Sequence, residues 1–366
     1  AEKFELASSL LRFTFPYLLF VSLVALSGAV MNVYNRFAVA AFTPVLLNIS
    51  IITCAIFLHD KFSVGAYALA VGVFVGGIVQ LLFQLPFLSR AKMLARPRWA
   101  WHDENVKKVR KLMLPALFGV SISQINLLLD TMIASLLMTG SIAWLYYSDR
   151  LIEFPLGLFG IGIATVILPA LSKLHSSKKL SDFQHTLDWG VRFVIFLGIP
   201  AMVGLMIISP LIITVLFDHG AFKEDSVDHV KAVSLGVVAY SVGLVSFMLI
   251  KVLAPGFYSR QDTKTPVRIG IITLVLNMVF NIMLAPFIGY LGLALATSMS
   301  ASCNAFLLYR QLKKENVYQF SSMSLRFTIK CIVASLGMGC VTWYVSSYYF
   351  WASWAFAQQV ILLIAL

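Results

Sequence analysis

Charge is scarce in this sequence: 12% of its 366 residues are Asp, Glu, Lys or Arg, about half the ~25% of a soluble domain. With 60% hydrophobic residues and a mean hydropathy of +0.87, that shortage excludes an ordinary cytosolic enzyme. Acidic side chains are the rarer sign, 16 against 28 basic, for a formal net charge of +12. Cysteine is nearly absent. Cys54, Cys303, Cys331 and Cys340 sit singly in apolar runs without CxxC spacing, so they read as reduced packing residues rather than a disulfide frame or thiolate metal site. Also missing are an HExxH pair, a GxSxG elbow and a phosphate-binding Gly-rich loop. No chemistry of bond making is signalled, and transport becomes the default reading.

What the chain has instead is long apolar runs. A spanning helix needs about 20 such residues, and ten runs qualify: 13–31, 37–58, 63–88, 113–138, 151–171, 193–217, 232–250, 269–288, 291–309 and 327–347. An eleventh begins near Ala352 and has too few residues before Leu366 to cross. The expected fold is therefore all-α, a polytopic membrane helical bundle of ten complete spans plus one partial. A net charge of +12 suggests nucleic acid in a soluble protein, but here the basic residues occupy alternate loops. Arg90, Lys92, Arg96, Arg98, Lys107, Lys108, Arg110 and Lys111 face only Asp103 and Glu104 in one loop. Lys173, Lys178, Lys179 and Arg192 follow two loops later, then Lys251, Arg260, Lys264 and Arg268, then Arg310, Lys313, Lys314, Arg326 and Lys330. By the positive-inside rule these loops are cytoplasmic, and no nucleic acid is expected. The same alternation places Ala1 outside, which predicts that an odd number of helices precedes it.

Polar groups inside the spans are few. Asp130 lies deep in SISQINLLLDTMIASLL, where a charge costs at least ~2.5 kcal/mol. Gln124 and Asn126 share its helix, Asn277 and Asn281 stand at i, i+4 on one face of a later span, and Thr297 follows on the next. Two readings stay open: an oxygen site for a hard cation such as Na⁺, or an interhelical hydrogen-bond cluster. The second constellation is YYSDRLIEFPLG, with Asp149, Arg150 and Glu153 at the head of an apolar run. Arg150 either presents its planar fork to a phosphate or snorkels to the outer surface paired with Glu153.

Three strings go further than composition. FPYLLFVSLVALSGAVMNVYNRFAVAAFTPVLLNIS (15–50), YYSDRLIEFPLGLFGIGIATVILPALSK (146–173) and APGFYSRQDTKTPVRI (254–269) resemble the MurJ (MviN) lipid II flippase family, and the resemblance runs along the whole chain. It implies a fourteen-helix, two-lobe member of the multidrug/oligosaccharidyl-lipid/polysaccharide exporter superfamily in the bacterial inner membrane, with three helices ahead of Ala1. It implies that 1–88 is the second half of the N-lobe, 89–112 a basic linker, 113–309 the six-span core of the C-lobe, and 310–366 extra C-terminal helices lining a groove for a polyprenyl tail. The implied activity is not enzymatic: lipid II, a diphosphate-linked disaccharide-pentapeptide, crosses from inner to outer leaflet by alternating access for cell-wall synthesis. By the same resemblance Arg150 matches a cavity arginine, with Glu153, Gln124 and Asn48 as further substrate contacts. Asp130, Asn277, Asn281, the Leu293 carbonyl and Thr297 fall where some members are thought to bind sodium, the one ion implied. Asn281 departs from the second carboxylate expected there, and Ala143 from a serine near the arginine. The rival is a multidrug or organic-cation exporter of the same superfamily, which would want an acidic cavity, or an exporter there of another lipid-linked oligosaccharide.

Overall fold

A computed structural model describes residues 2–33, 36–62, 64–90, 92–94, 103–218 and 228–348, with positions 358 and 363. Among them the helices run α1 (Glu2–Thr14), α2 (Tyr17–Val33), α3 (Phe37–Leu58), α4 (Ala66–Arg90), α5 (Glu104–Ser135), α6 (Ser141–Pro155), α7 (Gly162–Ser176), α8 (Leu180–Phe217), α9 (His229–Tyr258), α10 (Lys264–Ile288), α11 (Tyr290–Lys314) and α12 (Ser322–Tyr348), with no strand among the described residues. Nine described segments are long and apolar enough to cross a membrane, and they coincide with nine of the ten expected spans. The tenth, 113–138, falls on α5, where the side chains of 114–123 lie outside the described residues. The partial span expected from Ala352 lies almost wholly outside them.

Helix ends differ from the apolar runs in an instructive way. α8 begins at Leu180, thirteen residues before the expected span, and its 38 residues make about 57 Å of helix against a ~30 Å hydrocarbon core. Likewise α5 starts at Glu104 and carries Lys107 on its first turns. An i→i−4 ladder continues unbroken from lipid into water, whereas apolar composition stops at the interface. Proline sets the internal breaks. Between α1 and α2 the helix interrupts at Phe15–Pro16, because Pro16 offers no backbone N–H. Pro155 ends α6 and is followed by a six-residue π segment, Leu156–Ile161, a wider turn of the kind that kinks helices.

The chain divides into two compact units, Ala1–Lys107 and Lys108–Leu366. In the first, α2 and α3 pack on α4. Gly72 and Gly76 let α3 come within contact of α4, so that a Cβ at Gly72 would meet the Ile51 Cα at 2.8 Å. Small residues permit that approach where lipid provides no hydrophobic drive. Gln80 and Gln84 then donate across the seam to Thr43, to its carbonyl at 3.1 Å and its hydroxyl at 2.9 Å.

In the second unit α9 is the hub, packed against α6, α7, α8 and α11, with α10 on α11 and α12 on α8. Its core joins Ile163, Ile167, Leu187, Val194, Leu244, Met248, Val252 and Phe257. Gly243 faces Ser298, whose hydroxyl donates to the Ala239 carbonyl at 2.8 Å, and Ser148 donates to the Val233 carbonyl at 2.9 Å. The acidic or uncharged connections meet at one end of this unit: Trp144 Nε1 donates to His229 Nδ1 at 2.9 Å and its ring lies tilted at 5.0 Å from Tyr290, while Tyr147 meets Phe217 at 4.8 Å. Basic connections meet at the other, where Arg260 pairs with Glu315 at 2.8 Å and Gln184 donates to the Asn316 carbonyl.

Candidate functional site

The five residues expected to hold an ion come together across α5, α10 and α11. Asn281 Nδ2 donates to Asp130 Oδ1 at 2.6 Å and to Asn277 Oδ1 at 3.0 Å. Asn277 Nδ2 reaches the Thr297 hydroxyl at 3.4 Å, which in turn donates to the Leu293 carbonyl at 3.0 Å. Asn126, one turn before Asp130, supplies a further donor to Oδ2 at 3.2 Å. The chain of bonds is built by register: i, i+4 spacing on α5 and again on α10 points each pair at the same seam. Asn277 and Asn281 are fully buried, at 2% and 0% exposure.

Every amide nitrogen of this cluster donates, but not every amide oxygen accepts. The amide oxygens Asn281 Oδ1 and Asn126 Oδ1 are buried with no hydrogen-bond partner, a costly state for a polar atom. An oxygen-only set with one carboxylate and orphaned carbonyl-type oxygens fits a hard monovalent cation. No group of three or more His, Cys, Asp or Glu occurs among the described residues, so a transition-metal centre has no support there. Asn126 joins the five as a donor to Asp130; its i−4 spacing from Asp130 was the available signal.

Arg150 is placed differently from expectation. Its helix begins at Ser141, so Arg150 stands in the third turn rather than at the head. It stands six positions beyond Trp144 in the aromatic band, which puts it about 9 Å further along the axis at 1.5 Å per residue. Its side chain is 53% exposed, bonded to Glu153 at 2.7 Å and lying over the Tyr146 ring at 5.0 Å. Tyr146, Arg150 and Glu153 form one uncovered helical stripe together with Ala143, while Ser148 and Ile152 face the core. Tyr146 was missed as a contact although i, i−4 spacing carried it.

Of the remaining expected contacts, Gln124 is exposed on α5 outside the bonded cluster, and Asn48 is exposed on α3 in the other unit. In the second unit the expected residues thus fall into an exposed Arg150–Glu153 pair and a buried, oxygen-rich cluster around Asp130, with Gln124 and Asn48 in neither.

Comparison with known proteins bears directly on this arrangement. The family model described as lipid II flippase MurJ matches residues 1–364. A probable lipid II flippase MurJ of Vibrio cholerae is 55% identical across 100% of this chain and 69% of its own length. A solved structure of lipid II flippase MurJ in an inward closed conformation aligns with a TM-score of 0.80 at 28% identity, covering 100% of this chain and 73% of that one. A MATE transporter of Vibrio cholerae, 11% identical with a TM-score of 0.62 over 86% of this chain and 71% of its own, shares the fold alone. A bundle of apolar helices with a buried oxygen cluster and an open arginine, matched along almost its whole length, therefore belongs to the MurJ lipid II flippase family.

Proposed function

We propose that this chain moves lipid II, an undecaprenyl-diphosphate-linked disaccharide-pentapeptide, from the inner to the outer leaflet, with Arg150 as a contact for the diphosphate. The observation that carries this reading is a permanently charged side chain on the uncovered stripe of a membrane helix, about 9 Å beyond an aromatic band, with a half-exposed Glu153 for a partner. A diphosphate carries about two negative charges, and taking them through a low-dielectric midplane is prohibitive without cations around them. The guanidinium fork suits that group, giving two parallel hydrogen bonds to phosphate oxygens. Glu153 holds the fork when no phosphate is near and gives way to it. An exporter of organic cations would want the reverse, a carboxylate exposed without its arginine.

Movement follows from the same physics. The head group passes while the polyprenyl chain stays in lipid, since apolar burial opposes its removal. Alternating access then amounts to rocking one lobe against the other about a midplane site. The ion reading rests on the orphaned amide oxygens beside Asp130: Asp130, Asn277, Asn281, Thr297 and the Leu293 carbonyl would hold Na⁺, whose binding energy would bias one state of that motion.

Charge reversal tests the arginine. Arg150→Glu is expected to lower delivery of lipid II to the outer leaflet at least ten-fold, and Arg150→Lys to keep part of it because the charge survives without the fork. Normal delivery by Arg150→Glu, in protein that reaches the membrane in normal amount, refutes the assignment.

A further inference from the structure

Where α8 leaves the basic end of the second unit it forms, with the α11–α12 connection, a cavity of about 540 Å³ that the flipping reading does not use. Its wall carries His185, Arg192 and Lys313 against one carboxylate, Asp188. That carboxylate is already occupied: the Ser324 hydroxyl donates at 2.7 Å, the Tyr318 hydroxyl donates at 2.9 Å, and Arg192 Nε lies 3.1 Å away in an ion pair. Burial first, and then the Asp188 charge, hold the Tyr318 hydroxyl well above its ordinary range, so it remains a donor. Arg192 is the under-used group. Its Nε geometry falls short of a hydrogen bond, and its Nη1 is directed at the Met323 sulfur at 3.6 Å. A thioether is a weak acceptor for a guanidinium; a phosphate oxygen is a strong one.

Depth identifies the ligand. Trp189 is half exposed on the same stretch of α8 and stacks on Phe193 at 5.5 Å, the position of a tryptophan that sits among head groups. The cationic cavity is thus at head-group level on the basic, inner side. Tyr318 is shared with a second, apolar cavity of about 420 Å³ that continues toward the membrane interior between α8, α9, α11 and α12, lined by Ile195, Ile199, Leu249 and Phe306. A phosphate-sized cationic site opening onto an acyl-sized groove matches one chemistry, that of a glycerophospholipid with an anionic head.

We propose that this paired cavity binds an inner-leaflet anionic phospholipid, its phosphate on Arg192, His185 and Lys313 and one acyl chain along the groove, tying α12 to α8. This site is distinct from the Arg150 stripe and stands whether or not Arg150 contacts substrate.

The test uses the full chain, stripped of lipid in detergent, with phosphatidylglycerol or phosphatidylcholine added back and bound lipid counted by native mass spectrometry. Phosphatidylglycerol is expected to bind more tightly, and Lys313→Gln to weaken it about five-fold for the one cation removed, with His185→Gln added to it weakening binding further by taking away a ring N–H donor. Both positions are exposed, so this variant folds even if Arg192→Gln, which strips Asp188 of its ion partner, does not. Phe306→Glu, a charge in the groove, is expected to weaken binding with the cations intact. Equal binding of the two lipids, or variants that bind like the parent, overturns the proposal. Inorganic phosphate protecting against heat as well as the lipid does would make this a free-anion site, and a polyprenyl phosphate displacing phosphatidylglycerol one for one would make the groove part of the substrate path; either result overturns it too.

Discussion

Asp130→Asn exchanges one oxygen for a nitrogen and removes the charge while leaving the side chain's size alone, so it separates the two roles open to the buried cluster. In the structure Asp130 accepts from Asn281 at 2.6 Å and from Asn126 at 3.2 Å. The variant keeps its oxygen toward Asn281. Its new amide N–H meets Asn126, whose own amide oxygen is buried and unpartnered, and a flip of Asn126 turns that oxygen into an acceptor. Both hydrogen bonds therefore survive without charge assistance, a loss of about 2–3 kcal/mol over the two, given ~0.5–1.5 for a neutral bond and ~1.5–3 for a charged one, and most of it is offset because the uncharged side chain no longer carries the ~2.5 kcal/mol cost of a charge at that depth. Loss of sodium binding is a separate and larger effect. A ligand at one hundred times its Kd stabilises the folded state by about 2.7 kcal/mol, and the sole carboxylate of the cluster is what balances the ion. Thermal unfolding in detergent, in NaCl and in choline chloride at equal ionic strength, reads both. The parent is expected to melt higher in sodium. Asp130→Asn should melt slightly lower than the parent in choline and show no sodium increment, and Asn281→Asp, which adds a second carboxylate, should show a larger one. A parent melting temperature identical in the two salts refutes the ion reading and leaves a hydrogen-bond cluster; a sodium increment that survives in Asp130→Asn refutes the assignment of the ligand.

Two further outcomes follow from the packing and the loops. Gly243→Ala puts a Cβ 2.7 Å from the Ser298 Cα, against backbone that cannot turn away, and should cost about 1–3 kcal/mol as overpacking; Gly337→Ala, whose Cβ meets no described atom within 4 Å, should be neutral or stabilising, and equal melting shifts for the two would show that the α9–α11 contact is looser than described. At Asp262 burial raises the carboxyl pKa, but the Thr265 hydroxyl and backbone N–H, the Lys264 N–H and the Arg260 guanidinium together outweigh it and leave the value depressed. A depressed folded pKa means stability present above the ordinary aspartate value of about 3.9 and lost as pH falls through the lower folded value. Asp262→Asn should flatten that acid limb of the melting curve, and an unchanged acid limb would show that Asp262 contributes nothing there.

Much of this was written in the loops and the apolar runs. Alternating basic connections predicted which turns share an end, and the structure brings Arg260, Glu315, Gln184 and Asn316 together at one end and Trp144, His229 and Tyr290 at the other. Helix limits were less legible, because composition marks where lipid ends and hydrogen bonding marks where a helix ends; α8 outruns its apolar segment by thirteen residues for that reason. The π segment after Pro155 had no composition signal beyond Gly157 and Gly160, since a change of ladder from i−4 to i−5 leaves the side-chain pattern almost unaltered. In the oxygen cluster, i, i+4 spacing foretold which amides share a face, and only the three-dimensional register of α5 against α10 brings that face to Asp130.

Arg150 shows where such reasoning reaches its limit and what the structure adds. Read as one of three charged residues at the head of an apolar run, it belongs to a helix end, and a helix-end arginine snorkels. The helix instead starts nine residues earlier at Ser141, because Trp144 and Ser148 are held inward by His229 Nδ1 and the Val233 carbonyl. Those two anchors make Ser141–Ile152 a packed part of the bundle and fix which way its opposite face points. Tyr146, Arg150 and Glu153 are consequently presented on a rigid support, and the π segment that could bend lies beyond them at Leu156–Ile161. Beyond it α7 packs on α8 and α9 through Ile163, Ile167 and Leu171, so the helix is held against the same core on both sides of its break. A cation carried on a helix anchored on both sides of its break keeps its position, which is what the proposed contact for a passing charged head group requires.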